Sequence, residues 1–114
     1  MRIGLYQPEA PSTLEGLLTW EDALRRPLAI ASIYTAWGSR FRAYDAEGLG
    51  AVRARGWTPM VTWEPWALPE PGSRPEDQPP WALAHLLAGR HDAYVRAWAD
   101  ACRTDGGDLW LRPM

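Results

Sequence analysis

The sequence predicts an α/β chain in which short parallel strands alternate with helices. Three observations carry this expectation. Four segments rich in β-branched or aromatic residues, each bounded by Gly, Pro or Asp, recur along the 114 residues. Stretches of helical periodicity fall between them. The order strand, helix, strand, helix, strand, helix, strand is that of parallel strands linked by crossover helices.

The first strand is expected at Arg2 to Tyr6, followed by the turn Gln7-Pro8-Glu9-Ala10-Pro11. The first helix opens at Ser12 with Glu15 three residues on, the pattern of a capping box. Leu14, Leu17 and Leu18 then share a face until Pro27 stops the helix. A second strand is expected at Leu28 to Tyr34, and a second helix over about Asp45 to Arg55, with Leu49 and Val52 on one face and Gly56 as its stop. The third strand is Thr58 to Trp63. In the third helix Tyr94, Ala97, Trp98, Ala101 and Cys102 follow the helical repeat, Arg96, Asp100 and Arg103 take the other side, and Gly106 and Gly107 end it. Leu109 to Arg112 is the fourth strand. Pro69 to Pro80, with Pro71, Pro75, Pro79, Gly72 and Ser73, reads as a surface loop between the third strand and the third helix.

A complete (β/α)8 barrel needs about 250 residues. The expected architecture is therefore a partial (β/α)8 TIM barrel, its first four parallel strands and three helices, spanning residues 1–114. A flavodoxin-like or Rossmann sheet is the alternative at this length. Against it, the turn after the first strand lacks the glycines that a pyrophosphate requires.

Composition narrows the function classes. A net charge of -2, with the positive residues scattered, supplies no basic field for a phosphate backbone, so nucleic acid is not an expected partner. No apolar run approaches the roughly 20 residues of a membrane helix, and the first residues carry no signal-peptide pattern, so no membrane is expected and the compartment is left undetermined. Cys102, the single cysteine, has no internal disulfide partner and no metal-ligand spacing around it; it is expected as a small buried apolar residue, and neither metal nor cofactor is expected. There is no Lys and no Asn, so the twelve positive residues are all Arg, and Phe41 is the only Phe. That bias is one of coding composition. An Arg here is not in itself a sign of guanidinium chemistry, and position has to decide.

In parallel barrels the working residues project from the carboxyl ends of strands. Those positions hold Tyr6 and Glu9, then Tyr34 and Trp37, then Trp63, Glu64 and Trp66, and finally Arg112. Aromatic faces stack on the apolar faces of pyranose rings, while carboxylates and Arg bond the hydroxyls at their rims. These eight residues are the expected substrate-binding set. Trp98, at core spacing, and Trp20, Trp57, Trp81 and Trp110 are expected in packing, and His85 and His91 as structural or surface residues. Glycosidases use two carboxylates, about 5 Å apart for retention and roughly 6.5–9.5 Å for inversion. Glu64 and Glu9 are the strand-end carboxylates, and Glu64 is expected to bind substrate without transferring a proton.

Thr58-Pro59-Met60-Val61-Thr62-Trp63-Glu64-Pro65-Trp66 resembles the third-strand segment of glycoside hydrolase family 26, the β-mannanases and lichenases. The run Ala88 to Ala99 is similar to the helix that follows it, and Leu109-Trp110-Leu111-Arg112-Pro113-Met114 to its fourth strand, which leads there into a His-Glu-Met-Asn-Gly motif. Ile3 to Tyr6 and Tyr34 to Gly38 extend the likeness over most of the chain. The resemblance implies a retaining endo-β-glycanase acting on a β-linked polysaccharide or oligosaccharide, with an acid/base glutamate after strand four and a nucleophile after strand seven. Both are expected beyond Met114, so no catalytic residue is assigned within the chain. By the same resemblance Trp63, Glu64 and Trp66 line the glycone side of the cleft and Arg112 supports the acid/base loop. Two other readings stay open: a non-catalytic sugar-binding half-barrel that self-associates to close its sheet, and a barrel hydrolase of another family in which Glu64 is catalytic.

Overall fold

The computed structural model describes residues 1–39, 42–67, 74 and 78–114. Most of the expected loop at 69–80 thus lies outside the described residues. The elements run β1 (Gly4–Tyr6), α1 (Glu15–Leu24), β2 (Ile30–Ala36), α2 (Ala46–Ala54), β3 (Thr58–Glu64), α3 (Leu83–Leu87), α4 (Asp92–Asp105) and β4 (Trp110–Pro113), with a 3-10 turn at Pro79–Trp81. All four strands are parallel and lie in the order β1-β2-β3-β4. The chain is α/β, and this sheet is compatible with part of an α/β barrel. The doubly wound alternative reverses its strand order at a switch point, and no reversal occurs among the described strands.

Register fixes the two faces of the sheet. Ala31 pairs with Pro59, Ile33 with Val61 and Thr35 with Trp63; the intervening pairs are Ser32 with Met60, Tyr34 with Thr62 and Ala36 with Glu64. Successive side chains point to opposite faces, so Ala31, Ile33, Val61 and Trp63 share one side. They form a single buried cluster with Leu17 of α1, Leu49 and Val52 of α2 and Trp98 of α4. That is the helix side. The other side carries Tyr6, Tyr34 and Trp110, which are 45–49% exposed.

The helices depart from expectation in three places. Ser12 does not cap α1. Residues 7–13 are committed to turns, with the N–H of Ala10 donating to the Gln7 carbonyl and that of Thr13 to Glu9, and the helix starts only at Glu15, whose N–H donates to the Thr13 hydroxyl at 3.3 Å. A fourth helix is present as well: α3, five residues long, precedes α4. The ends of α2 and α4 follow the expected residues, whereas α1 stops at Leu24, ahead of Pro27, with Arg25 in a left-handed backbone at φ 49°. Asp45 caps α2 by accepting from the Gly48 N–H at 2.9 Å, and Gly106 ends α4 at φ 66°, a left-handed backbone that glycine adopts without a Cβ penalty.

Side chains on α1 and α4 tie the layers together. The Glu21 carboxylate accepts from the Leu28 N–H at 2.6 Å and from the Trp57 indole at 3.1 Å, so one residue of α1 holds the starts of both β2 and β3. At the end of α4, Asp105 accepts from the Tyr44 phenol and from Arg53, each at 2.6 Å. The Tyr44 phenol is pushed up to about 12, first by burial and then by its bond to Asp105. Asp105 is held below the usual carboxylate range by that phenol, then by the Arg53 charge, against an opposing effect of burial.

Packing expectations hold for Trp57 and Trp98, which are buried, while Cys102 is half-buried against the core. Trp20 and Trp110 depart from them: each is 49% exposed. Trp20 lies on the outer flank of α1, and Trp110 on an edge strand, where it registers with Met60 on the side away from the helices.

Candidate functional site

The residues at the carboxyl ends of the strands divide into three groups, and the alternation of side chains along each strand decides which group a residue joins. The first is a row across the open face. Tyr34 of β2, Thr62 of β3 and Arg112 of β4 stand in register. The Arg112 guanidinium donates through Nε to the Thr62 hydroxyl at 3.1 Å and through Nη2 to the Tyr34 phenol oxygen at 3.0 Å. Its Cζ lies 5.7 Å from the centre of the Tyr34 ring. Tyr6 of β1 packs edge-on against Tyr34, with ring centroids 4.9 Å apart. Thr62 is fully buried, Arg112 is exposed, and two of its guanidinium N–H groups are spent on these bonds.

Glu64 and Trp66 form the second group. Glu64 Oε2 accepts from the Trp66 indole at 2.9 Å. Its carbonyl accepts from the backbone N–H groups of both Trp37 and Trp66, and the Trp66 carbonyl accepts from Gly38. The exits of β2 and β3 are thereby laced together. This packing is close: a Cβ on Gly38 would stand 2.5 Å from that of Ala67 and 2.9 Å from the Trp81 ring. Both Glu64 and Trp66 remain half-exposed at the end of the sheet.

Trp37 and Trp63 form the third group, and the structure places them in the core. Each is 7% exposed. Trp63 points to the helix side because it shares the parity of Val61, and its ring lies 4.6 Å from Trp37 and 4.9 Å from Trp98. Its indole donates to the Tyr94 hydroxyl at 2.9 Å, which donates onward to the Arg42 carbonyl at 2.7 Å. Burial pushes the Tyr94 phenol up, against the opposing effects of the Trp63 bond and the Arg42 charge. His91 completes this cluster as a structural residue, stacked on Trp81 at 4.6 Å with Nε2 3.0 Å from the Pro80 carbonyl oxygen.

Glu9 stands apart from all three groups. It lines a cavity of about 620 Å3 between the turn after β1 and the connection from β2 to α2. Among the described residues, no three His, Cys, Asp or Glu side chains come together to hold a metal ion, and no helix is long and apolar enough to cross a membrane.

Sequence reasoning missed Thr62 and Trp110 on the open face. Thr62 is two residues before the strand end, and Trp110 lies at the start of β4, where packing is expected. Their parity with Tyr34 and Arg112 was the available signal, but it becomes decisive only once the register between strands is known.

The chain is 25% identical over its whole length to "Endoglucanase H" of Acetivibrio thermocellus. It spans 11% of that protein's length. No protein-family model matches the chain.

Proposed function

We infer that these 114 residues form the first half of a (β/α)8-barrel catalytic domain of a retaining endo-β-glycanase resembling glycoside hydrolase family 26, and that they build its substrate-binding wall. The observation that carries this is the row Tyr6, Tyr34, Thr62 and Arg112 on the face of a parallel sheet opposite its helices. In a barrel that face is the interior, and its carboxyl end is where chemistry sits. The row offers aromatic surface, a phenol and a guanidinium held by two partners before any ligand arrives. Preorganised donors of this kind recognise sugar hydroxyls without first losing side-chain freedom. Likeness over the whole chain to an endoglucanase supports the same class of activity.

Within this reading Arg112 and Tyr34 bind the substrate, and Glu64 and Trp66 contribute at the end of β3. Trp37 and Trp63 act beneath the wall as its packing. No residue of the chain is assigned a proton-transfer role, since in the resemblance the acid/base glutamate follows the fourth strand.

The reading is tested on the full open reading frame that encodes these residues, assayed on β-mannan, mixed-linkage β-glucan and xylan, with anomeric products followed by NMR. Hydrolysis with retention is expected, and an Arg112→Ala variant should raise KM. Failure to cleave any of the three polymers, or cleavage with inversion, overturns it.

A further inference from the structure

Gln78 spends both ends of its side-chain amide on one backbone residue. Its Oε1 accepts from the Ala67 N–H at 2.7 Å and its Nε2 donates to the Ala67 carbonyl at 2.8 Å, across eleven positions of sequence. An amide carries one donor side and one acceptor, so Gln78 pairs with Ala67 as a residue of a facing strand would. Gln78 is itself anchored. Its carbonyl accepts from the Trp81 N–H at 3.0 Å, at the start of the 3-10 turn. Trp81 stacks on His91 at the start of α4, with ring centroids 4.6 Å apart, and meets Trp37 edge-on at 6.4 Å.

The other side of this clasp leads to Glu64 and Trp66. Trp66 lies beyond the last residue of β3, so its place depends on bonds outside the strand. Its N–H donates to the Glu64 carbonyl at 2.8 Å, its carbonyl accepts from the Gly38 N–H at 2.9 Å, and its indole donates to Glu64 Oε2 at 2.9 Å. Ala67, the next residue, is what Gln78 holds. We propose that Gln78 is a positioning residue for the Glu64–Trp66 pair: by clamping Ala67 to the 3-10 turn it fixes the chain on the far side of Trp66, and with it the direction in which indole and carboxylate meet a substrate. Its side-chain hydrogen bonds go to the Ala67 backbone and not to the side chains of the pair, so it acts through the main chain. A pair held in this way is not ordered at the expense of binding. The proposal rests on the reading of Glu64 and Trp66 as substrate-binding residues and adds the residue that supports them.

The test uses the full open reading frame and the substitution Gln78→Met, which keeps the length of the side chain and removes both bonds. Backbone hydrogen exchange at Trp66–Ala67, read by mass spectrometry, should accelerate about tenfold, as the loss of one or two hydrogen bonds implies. On whichever of β-mannan, mixed-linkage β-glucan or xylan the parent cleaves, KM should rise roughly fivefold with kcat nearly unchanged, the signature of lost substrate binding. In a Trp66→Ala background the same substitution should leave KM where it stands, since a residue acting through Trp66 has nothing left to position. Gln78→Glu, which keeps an acceptor and sets a carboxylate against the Ala67 carbonyl, takes its place should Gln78→Met fail to fold. Unchanged exchange overturns the clasp. Accelerated exchange with an unchanged KM, a loss confined to kcat, or an effect on KM that survives in the Trp66→Ala background overturns the positioning role and leaves the proposed function standing. A parent that cleaves none of the polymers overturns the proposed function and the positioning role with it, while exchange at Ala67 still decides the clasp.

Discussion

Replacing Trp63 by Ala separates the two roles this residue could have. A tryptophan lining a cleft can be truncated with little loss of stability, whereas one in a core cannot. Trp63 is 7% exposed, lies against Trp37, Trp98 and Tyr94, and donates its indole N–H to the Tyr94 hydroxyl. A buried aromatic of about 150–250 Å2, at roughly 25 cal/mol per Å2, is worth about 4–6 kcal/mol. Truncations of core aromatics cost about 3–5 kcal/mol. The expected loss for Trp63→Ala is therefore about 4 kcal/mol, a large part of the roughly 5–15 kcal/mol that holds a domain together. Tyr34→Ala is the control from the open face. That residue is 45% exposed and loses one bond from Arg112, which predicts a cost of about 1–2 kcal/mol. Urea denaturation followed by circular dichroism should show the Trp63 variant unfolding well before the Tyr34 variant, with a melting temperature lowered by about 15 °C or more. Midpoints that coincide, or a Trp63 variant as stable as the parent, would refute the placement of Trp63 in the core.

Three further outcomes follow from the local geometry. Stability should fall at both pH extremes: Asp105, held below its ordinary value in the folded state, loses its contribution as acid protonates it through and below the usual carboxylate range, while Tyr44, raised to about 12, loses its contribution as pH climbs from about 10 towards 12. Tyr44→Phe should flatten the alkaline limb, a result read from chemical denaturation at a series of pH values; an unchanged limb contradicts the assignment. Gly38→Ala should cost about 1–3 kcal/mol, because the added Cβ would meet the Cα of Ala67 at 2.8 Å as well as its Cβ; a neutral effect in the same assay would show that the β2 and β3 exits are not packed together. Asp45→Ala removes the cap of α2 and should cost about 1 kcal/mol, with Asp45→Asn restoring most of it.

Much of the fold was legible because the signals are local. Tyr94, Trp98 and Cys102 recur at helical spacing, Gly106 follows the last helical residue, and the strands β2 and β3 carry runs of apolar residues, so the order of elements could be read without neighbours. Ser12 was misleading for an equally local reason: its spacing to Glu15 matches a cap, yet the preceding residues spend their backbone groups on turns and delay the helix. The five-residue helix α3 has too few turns to show a period at all.

That four strands alternate with helices, and that aromatic and charged residues gather at the strand ends, is readable from residue order alone. Which of those residues meet depends on how the strands pair and where the helices pack. Tyr34 and Trp63 both sit near the end of a strand, but Tyr34 pairs with Thr62 and faces the open side, whereas Trp63 pairs with Thr35 and enters the core. Apolar residues occur at both parities of β2 and β3, Ala31 and Ile33 against Ile30 and Ala36 in one and Val61 and Trp63 against Met60 in the other, so composition does not say which parity turns toward the helices. That choice is made by the register between strands and by the side on which the crossovers pack.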